Sequence, residues 1–167
     1  MRPTCEVLCG PIASGKSFYA SKRAKQGWLV VNDDAITMMA RGGDYSFQEG
    51  LRDLYNRSVM HLMALWLRQG HNVVVDTPAH TKRLRKVLVD HIHLADPMCR
   101  IVALEWPWPS AETSAVRRCR ADSRGLTQHQ WEKVAQRHFD EREQISITEG
   151  FDKVRTICHD YTDIKPD

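Results

Sequence analysis

The stretch Gly10-Pro11-Ile12-Ala13-Ser14-Gly15-Lys16-Ser17 decides the fold of this chain. It has the form Gly-x-x-x-x-Gly-Lys-Ser/Thr, and it lies between a β-prone run over 4–9 and a helical run over 17–24. Strand, glycine-rich loop and helix in this order predict a phosphate-binding loop, because the loop N–H groups and the helix N-terminus both point at phosphate oxygens. A chance match in a tight turn is the alternative, and the agreement of all three features argues against it.

The residue types of the loop predict its ligands. Lys16 is expected to bridge the β- and γ-phosphates of a nucleotide, and the Ser17 hydroxyl is expected to ligate Mg²⁺. We therefore predict ATP, or another nucleoside triphosphate, together with Mg²⁺ as cofactors. The predicted nucleotide-binding residues of this segment are Gly10, Ala13, Ser14, Gly15, Lys16, Ser17 and Phe18.

Four further short apolar runs alternate with helical patterns along the chain. The runs cover residues 28–31, 72–75, 99–104 and 153–158. The clearest helical pattern extends from Leu51 to Trp66 and stops at Gly70, and another covers 84–91. Strands that alternate with helices predict a parallel sheet with helices on both faces. No repeat, linker or composition break divides the chain, so we predict a single domain over 1–167.

Composition limits the classes of protein to which the chain can belong. Its 167 residues are 42% hydrophobic and 27% charged, which excludes a disordered or low-complexity chain. No apolar run is long enough to span a membrane, and the N-terminus lacks an apolar signal core. We therefore predict a soluble, cytoplasmic protein with no membrane partner. The net charge of +3 argues weakly for an anionic partner. The five cysteines include no Cys-x-x-Cys pair and predict reduced, mostly buried thiols.

Three aspartates follow two of the predicted strands. Asp76 ends the run Val73-Val74-Val75, where a carboxylate can ligate the metal or its water, or can cap the next turn. Asp33 and Asp34 follow the second strand, where a carboxylate can accept the proton of an acceptor hydroxyl and hold its oxygen in line with the γ-phosphate. The alternative is that both cap the helix over 36–39. We predict Asp33 as the base, Asp34 as the cap, and Ser17 and Asp76 as metal ligands.

Four arginines lie close together in the segment 117–124. Arg117, Arg120 and Arg124 are spaced to share one helical face, and Gly125 is placed to end that helix. Guanidinium groups on a short segment suit a lid, over about 117–127, that clamps a triphosphate and stabilises the transferring phosphoryl group. A solvated helix face is the alternative.

Two other segments each have two interpretations. The basic cluster at 81–86 either holds the phosphates of a nucleic acid or is an exposed helix face with Leu84 turned inward. The loop at 106–109, Trp-Pro-Trp-Pro, either stacks on a base or packs around its prolines.

Taken in order, these motifs resemble the P-loop kinases grouped around the phage-type 5′-hydroxyl polynucleotide kinases. The resemblance rests on the phosphate loop, on Asp33-Asp34, on Val75-Asp76-Thr77, and on an Arg-x-x-x-Arg-Gly lid at Arg120, Arg124 and Gly125. It implies an α/β, adenylate-kinase-like three-layer sandwich with a five-stranded parallel sheet and a short arginine-bearing lid. It also implies that Asp33 is the general base and that Arg120 and Arg124 bind the donor phosphates. With Lys16, these residues form the predicted catalytic set.

The predicted activity is ATP-dependent transfer of the γ-phosphate to a hydroxyl, with the 5′-OH end of DNA or RNA as the favoured acceptor. Members of the family often have an arginine three residues after the base, for the acceptor phosphate. This chain has Ile36 there, so Arg41 or the cluster at 82–86 would substitute. Two alternatives stay open. One is a kinase of a nucleoside, a nucleotide, a small-molecule alcohol or a hydroxymethylated base in DNA, and the other is a P-loop ATPase or switch that acts on a partner protein.

Overall fold

Five parallel strands form one sheet in this computed structural model, which describes residues 2–121 and 124–157. The strands are β1 (Thr4–Cys9), β2 (Leu29–Asn32), β3 (Val73–Asp76), β4 (Arg100–Glu105) and β5 (Lys153–Thr156). Their order in the sheet is β2-β3-β1-β4-β5, and every neighbouring pair is parallel. The predicted α/β class and five-stranded parallel sheet are thereby confirmed. Cys158, the last residue of the predicted fifth strand, lies outside the described residues.

Within the described residues, six helices connect and cover the strands. They are α1 (Lys16–Lys25), α2 (Asp33–Met39), α3 (Arg52–Arg68), α4 (Lys82–Ala95), α5 (Ala111–Ala121) and α6 (Gln128–Asp140). Two short 3-10 turns, Glu49–Leu51 and Ile147–Glu149, precede α3 and β5. Thr81 caps α4 by accepting from the Leu84 N–H, and Thr127 with Gln130 forms a capping box at α6. None of the helices in the described part of the chain is long and apolar enough to cross a bilayer.

The sheet separates two apolar cores because successive side chains of a strand point to opposite faces. On β1, Val7 belongs to the larger core, which includes Met63 of α3 and Ile92 of α4. Its neighbour Leu8 belongs to the smaller core on the opposite face, with Tyr19 of α1. The central strands are therefore buried on both faces, which is the physical reason for their valine-rich composition. The edge strands β2 and β5 are only partly buried.

Two buried ion pairs fasten helices to this framework. Glu6 of β1 accepts hydrogen bonds from Arg23 of α1, at 2.5 and 3.0 Å, and from the Tyr19 hydroxyl at 2.7 Å. Arg85 of α4 has no exposed surface, and its guanidinium donates to both carboxylate oxygens of Glu149 at 2.7 and 3.0 Å. It also donates to the backbone oxygens of residues 79 and 144. Pairing and hydrogen bonding of this kind are what buried charges require.

The inward position of Arg85 corrects one sequence interpretation. One of the two interpretations of 81–86 was an exposed helix face with Leu84 turned inward. Instead Arg85 points inward and Leu84 is 39% exposed. Lys86 forms an exposed ion pair with Asp90 at 2.9 Å. The four cations of this cluster therefore do not form one continuous basic surface.

The tryptophan–proline loop packs against its neighbours. Trp106 is buried and its ring meets the Tyr19 ring edge-on, with centroids 5.5 Å apart. Trp108 lies edge-on to Phe139 at 5.1 Å, with the Arg142 guanidinium 4.9 Å from its centroid. These contacts favour packing over stacking on a base.

The thiols of the described cysteines are free. Cys5, Cys9 and Cys99 are buried, and Cys119 is partly exposed. Burial raises the pKa of Cys9 and of Cys99 to about 12, which makes both thiols unreactive.

Candidate functional site

The phosphate loop turns sharply between β1 and α1. Two of its glycines, Gly10 and Gly15, occupy positions where a larger side chain would clash or strain the backbone. A Cβ on Gly10 would lie 2.8 Å from the Trp106 Cβ, closer than such atoms approach. Gly15 has φ +100°, in the left-handed region that glycine tolerates. It is the N-cap residue of α1, so no capping side chain occupies the first N–H groups of that helix. The first N–H groups of α1 therefore face the loop and are available to a phosphate.

Lys16 lies at the centre of this loop. Its ammonium donates to the backbone oxygens of Gly10 at 3.0 Å and Pro11 at 2.6 Å. Burial lowers the pKa of Lys16, while the carboxylates of Asp76 and Asp33 act in the opposite direction. The lysine therefore shares its surroundings with both predicted functional aspartates.

Asn32 holds Asp76 in place at the carboxyl edge of the sheet. The two residues are register partners at the ends of β2 and β3. The Asn32 amide donates to Asp76 Oδ2 at 2.9 Å, and its own oxygen accepts from the Ala35 N–H at 2.8 Å, which caps α2. Our prediction that Asp34 is the cap is therefore wrong. Asp76 caps none of the described helices, and the preference of asparagine for N-cap positions could have identified Asn32.

The predicted metal ligands lie on the same cavity. Ser17 and Asp76 both line a cavity of about 220 Å³ beside the phosphate loop, the loop cavity. A hydroxyl and a carboxylate are the hard oxygen ligands that suit Mg²⁺. Asn32, bonded to one carboxylate oxygen of Asp76, supplies the orientation that a metal ligand needs from its neighbours. The residues present fit Mg²⁺, and their role as ligands stays a prediction.

A second, larger cavity of about 710 Å³ adjoins the first. We call it the large cavity. Asp33 lines both cavities, so its carboxyl lies where the contents of the two would meet. Burial, and then the neighbouring charge of Asp34, raise the pKa of Asp33 to about 7. A carboxyl group with such a pKa can accept a proton near neutral pH.

The large cavity combines an apolar wall with arginines from three helices and with the carboxylates of Asp33, Asp53 and Glu141. Arg52 of α3, Arg83 of α4 and Arg137 of α6 line it. Arg52 pairs with Glu49 through two hydrogen bonds of 2.6 Å. Among the residues that the structure describes, Arg83 and Arg137 form no ion pair. The apolar wall consists of Val59, Met60, Leu84, Val87 and Leu88.

One of these three arginines, Arg83, belongs to the segment expected to replace the missing family arginine. Arg41 does not line the large cavity, and of the cations at 82–86 only Arg83 does. Ile36 is buried in the core. The sequence analysis did not identify Arg52 and Arg137, because they lie far apart in the chain. Only the folded structure brings their helices to the same cavity.

The arginine segment departs from its predicted geometry. We expected Arg117, Arg120 and Arg124 on one helical face, but α5 ends at Ala121 and Arg124 follows with φ +49°. Arg120 is exposed, and it does not line the loop cavity, whereas Arg118 and Arg124 do. The prediction of a shared helical face is wrong because the backbone of Arg124 is not helical. It also overlooked Arg118, which lines the loop cavity. Asp122 and Ser123 of the predicted lid lie outside the described residues.

Arg124 has specific partners at the rim of the loop cavity. Its guanidinium donates to Asp34 Oδ2 at 2.6 Å and lies 3.8 Å from the centroid of the Tyr45 ring. The lid segment is thereby joined to the start of α2, next to Asp33. The donor-phosphate roles predicted for Arg120 and Arg124 stay predictions.

Not every predicted nucleotide-binding residue reaches the loop cavity. Gly10, Ala13, Lys16 and Ser17 line it, whereas Ser14 is buried beneath the loop. Phe18 is 56% exposed on α1, with the Lys22 ammonium 4.8 Å from its ring centroid.

Two buried histidines stand where the cavities adjoin. The rings of His80 and His138 are stacked, with centroids 4.4 Å apart and an interplanar angle of 18°. His80 lines the large cavity and His138 lines both. Burial, and then the positive charge of neighbouring groups, lower the pKa of His138 to about 4, so that its ring is neutral.

Known proteins share this arrangement of strands and loop. The solved structures similar to the chain include a gluconokinase from Sinorhizobium meliloti 1021, with 19% identity, 94% of this chain and 83% of that chain covered, and a TM-score of 0.55. They also include a sugar kinase from Janibacter sp. HTCC2649, with 19% identity, coverage of 93% and 84%, and a TM-score of 0.56. The Pnkp1/Rnl/Hen1 RNA repair complex contains a chain with 20% identity, coverage of 84% and 47%, and a TM-score of 0.61. At these identities the likeness concerns the fold.

The sequence comparisons define the family. No curated protein sequence matches the chain. A sequence model of the family described as AAA domain matches residues 6–141, which is most of the chain. The chain therefore belongs to the AAA domain family, and its fold is that of the P-loop kinases.

Proposed function

We propose that this protein is an ATP-dependent kinase that transfers the γ-phosphate to a hydroxyl, with the 5′-OH end of DNA or RNA as its acceptor. The observation that carries the proposal is the position of Asp33, which lines both cavities. A kinase needs a donor site, an acceptor site and a base between them. A simple ATPase needs no acceptor site, and the large cavity therefore favours the kinase.

On the donor side, the loop residues bind and orient the triphosphate. The N–H groups of the phosphate loop and the Lys16 ammonium contact its oxygens, and the guanidinium groups of Arg118 and Arg124 face the same cavity. Bound Mg²⁺ supplies charge neutralisation at the β- and γ-phosphates. Ser17 and Asp76 are the residues that would hold it.

On the acceptor side, Asp33 accepts the hydroxyl proton and holds the attacking oxygen in line. The arginines of the large cavity favour an anionic acceptor, because guanidinium groups without a carboxylate partner bind phosphate well. A nucleic-acid end meets this requirement, since its phosphates lie next to the hydroxyl. That a neighbour in fold belongs to an RNA repair complex supports the same class of acceptor. A neutral sugar would leave these charges unused.

An acceptor screen tests the proposal. The protein is incubated with Mg²⁺ and γ-labelled ATP in the presence of 5′-OH oligodeoxyribonucleotide, 5′-OH oligoribonucleotide, DNA with a hydroxymethylated base, a nucleoside, a nucleoside 3′-phosphate or gluconate. We expect label on the 5′-OH oligonucleotides and on the nucleoside 3′-phosphate, and much less on the nucleoside and gluconate. Release of labelled inorganic phosphate with no labelled acceptor would indicate an ATPase instead.

The same assay tests the base. Replacing Asp33 by asparagine keeps the size of the side chain and removes its ability to accept a proton, so kcat should fall by about 10²- to 10⁴-fold. The affinity for ATP should be nearly unchanged. The matched control is Asp44→Asn, on the exposed loop after α2, which should transfer phosphate normally. An equal loss of ATP binding in Asp33→Asn would instead indicate a role in the donor site.

A further inference from the structure

We propose that His138 is a further catalytic residue, whose imidazole forms a hydrogen bond with the acceptor alcohol beside Asp33. The inference rests on the proposed function and names one more group that contacts the acceptor. Among the described residues, the side chains that line both cavities are those of Asp33, Thr77, Pro78 and His138. His138 is the one that presents a ring with both a hydrogen-bond donor and an acceptor at this junction.

The ring of His138 is held firmly from one side. It stacks on His80, whose Nε2 lies 3.1 Å from Glu141 Oε2. Because a carboxylate only accepts hydrogen bonds, Nε2 of His80 carries the hydrogen, and the orientation of this ring is set. The backbone oxygen of His80 also accepts from the Glu143 N–H at 2.9 Å, which ties the segment after β3 to the segment after α6.

The polar atoms of His138 have no such partner. Its side chain is 8% exposed, and it forms no hydrogen bond with any other residue that the structure describes. Among the described residues, the fully buried side-chain atoms without a hydrogen-bond partner include Nδ1 of His80 and no atom of His138. The nitrogens of His138 are therefore accessible from the cavities that this residue lines, where a ligand can reach them. The fold thus fixes the ring by stacking and leaves its nitrogens to the contents of the cavities.

The surroundings of the ring indicate which ligand it suits. Lys16 and Arg137 provide the positive charge nearby, and they suit the phosphates of donor and acceptor. A neutral imidazole suits an uncharged group, and the alcohol is the uncharged group that must lie beside Asp33. In the transfer, the hydroxyl proton passes to the Asp33 carboxylate as the new oxygen–phosphorus bond forms. The bond from the γ-phosphorus to the β–γ bridging oxygen breaks, and ADP leaves. His138 holds the alcohol and exchanges no proton.

Two substitutions separate the hydrogen bond from the stacking. His138→Phe keeps an aromatic ring against His80 and removes both ring nitrogens, whereas His138→Gln keeps a donor and an acceptor on a flexible side chain. We expect His138→Phe to lower kcat for a 5′-OH oligonucleotide by about 10- to 100-fold, with unchanged ATP affinity and unfolding temperature. His138→Gln should recover most of that loss. His129→Phe, exposed on the first turn of the same helix, is the matched control and should have wild-type kcat.

The outcomes separate this inference from the proposed function. Wild-type kcat in His138→Phe, or a loss in His138→Gln as large as in His138→Phe, would show that the histidine pair serves packing, and would overturn the inference alone. A wild-type protein that binds ATP and phosphorylates no acceptor would overturn the proposed function, and the role of His138 with it.

Discussion

The loop cavity and the large cavity meet at Asp33, yet they are constructed in opposite ways. Most residues that line the loop cavity belong to the phosphate loop or lie at the ends of β2 and β3, and the others come from the loop after α2, the arginine segment and α6. The large cavity takes its arginines from α3, α4 and α6, which are separated by dozens of residues in the chain. A site made from one segment has a sequence pattern, whereas a site made from distant helices has none until the chain folds.

The same difference determines how each cavity is held together. The phosphate loop is fixed by its own backbone turns and by close contact with Trp106. The walls of the large cavity depend on ties between elements, among them the pair of Arg85 and Glu149. Mutations should therefore affect the two cavities through different properties: chemistry in the loop cavity, and stability or acceptor affinity in the large one.

The largest expected effect is the loss of a tie behind the large cavity. Arg85→Met fills a similar volume but leaves Glu149 buried without its partner, so the free energy of unfolding should fall by about 3–5 kcal/mol. Denaturant unfolding measures it. The control Lys86→Ala removes an exposed ion pair on the same helix and should change stability by less than about 0.5 kcal/mol. A cost below about 1 kcal/mol for Arg85→Met would mean that the buried pair does not support this wall.

The next effect concerns the loop cavity and should leave stability unchanged. Lys16→Ala removes the ammonium that contacts the donor phosphates, and kcat should fall by about 10²- to 10³-fold for every acceptor alike. Lys25→Ala, exposed at the end of the same helix, is the control. Label-transfer rates with a short and a long acceptor measure the effect. A fall limited to one acceptor would contradict a role at the donor phosphates.

The sequence predicted the residues of the loop cavity better than those of the large cavity. The phosphate loop, Asp33 and Asp76 were predicted from their positions after strands, and the structure brings Lys16, Asp33 and Asp76 together. The sequence analysis missed Asn32, whose N-cap preference was a usable signal, and its hydrogen bond to Asp76 is seen only when β2 and β3 are paired. It also missed Arg118, because periodicity cannot show that α5 ends at Ala121.

A smaller effect is expected on the affinity of the large cavity for its acceptor. Arg83→Ala and Arg137→Ala each remove a guanidinium from the large cavity, so KM for a nucleoside 3′-phosphate should rise by about 10- to 100-fold, with kcat nearly constant. KM for ATP should not change. Arg57→Ala, exposed on α3, is the matched control. An equal rise in KM for an uncharged nucleoside would show that these arginines shape the cavity rather than bind a phosphate.

The last effect is a gain of stability at Asp33, the residue that the two cavities share. Burial and Asp34 raise the pKa of this carboxyl from its ordinary value of 3.8 to about 7. Between these values the folded chain binds a proton that the unfolded chain has released, so this group makes stability fall as pH rises.

Asp33→Asn removes the ionisable carboxyl, and with it the fall in stability that this group causes as pH rises. The variant should be more stable than the wild type at pH 8, by up to about 4 kcal/mol if the whole pKa shift is relieved, while it loses transfer activity. The gain should vanish below about pH 3, where the wild-type carboxyl is protonated in both the folded and the unfolded chain. Denaturant unfolding at the two pH values measures the difference. Asp44→Asn, exposed on the loop after α2, controls for the change in net charge. A gain of the same size at both pH values would trace the effect to packing, and the carboxyl would then carry no strain from being placed between the two cavities.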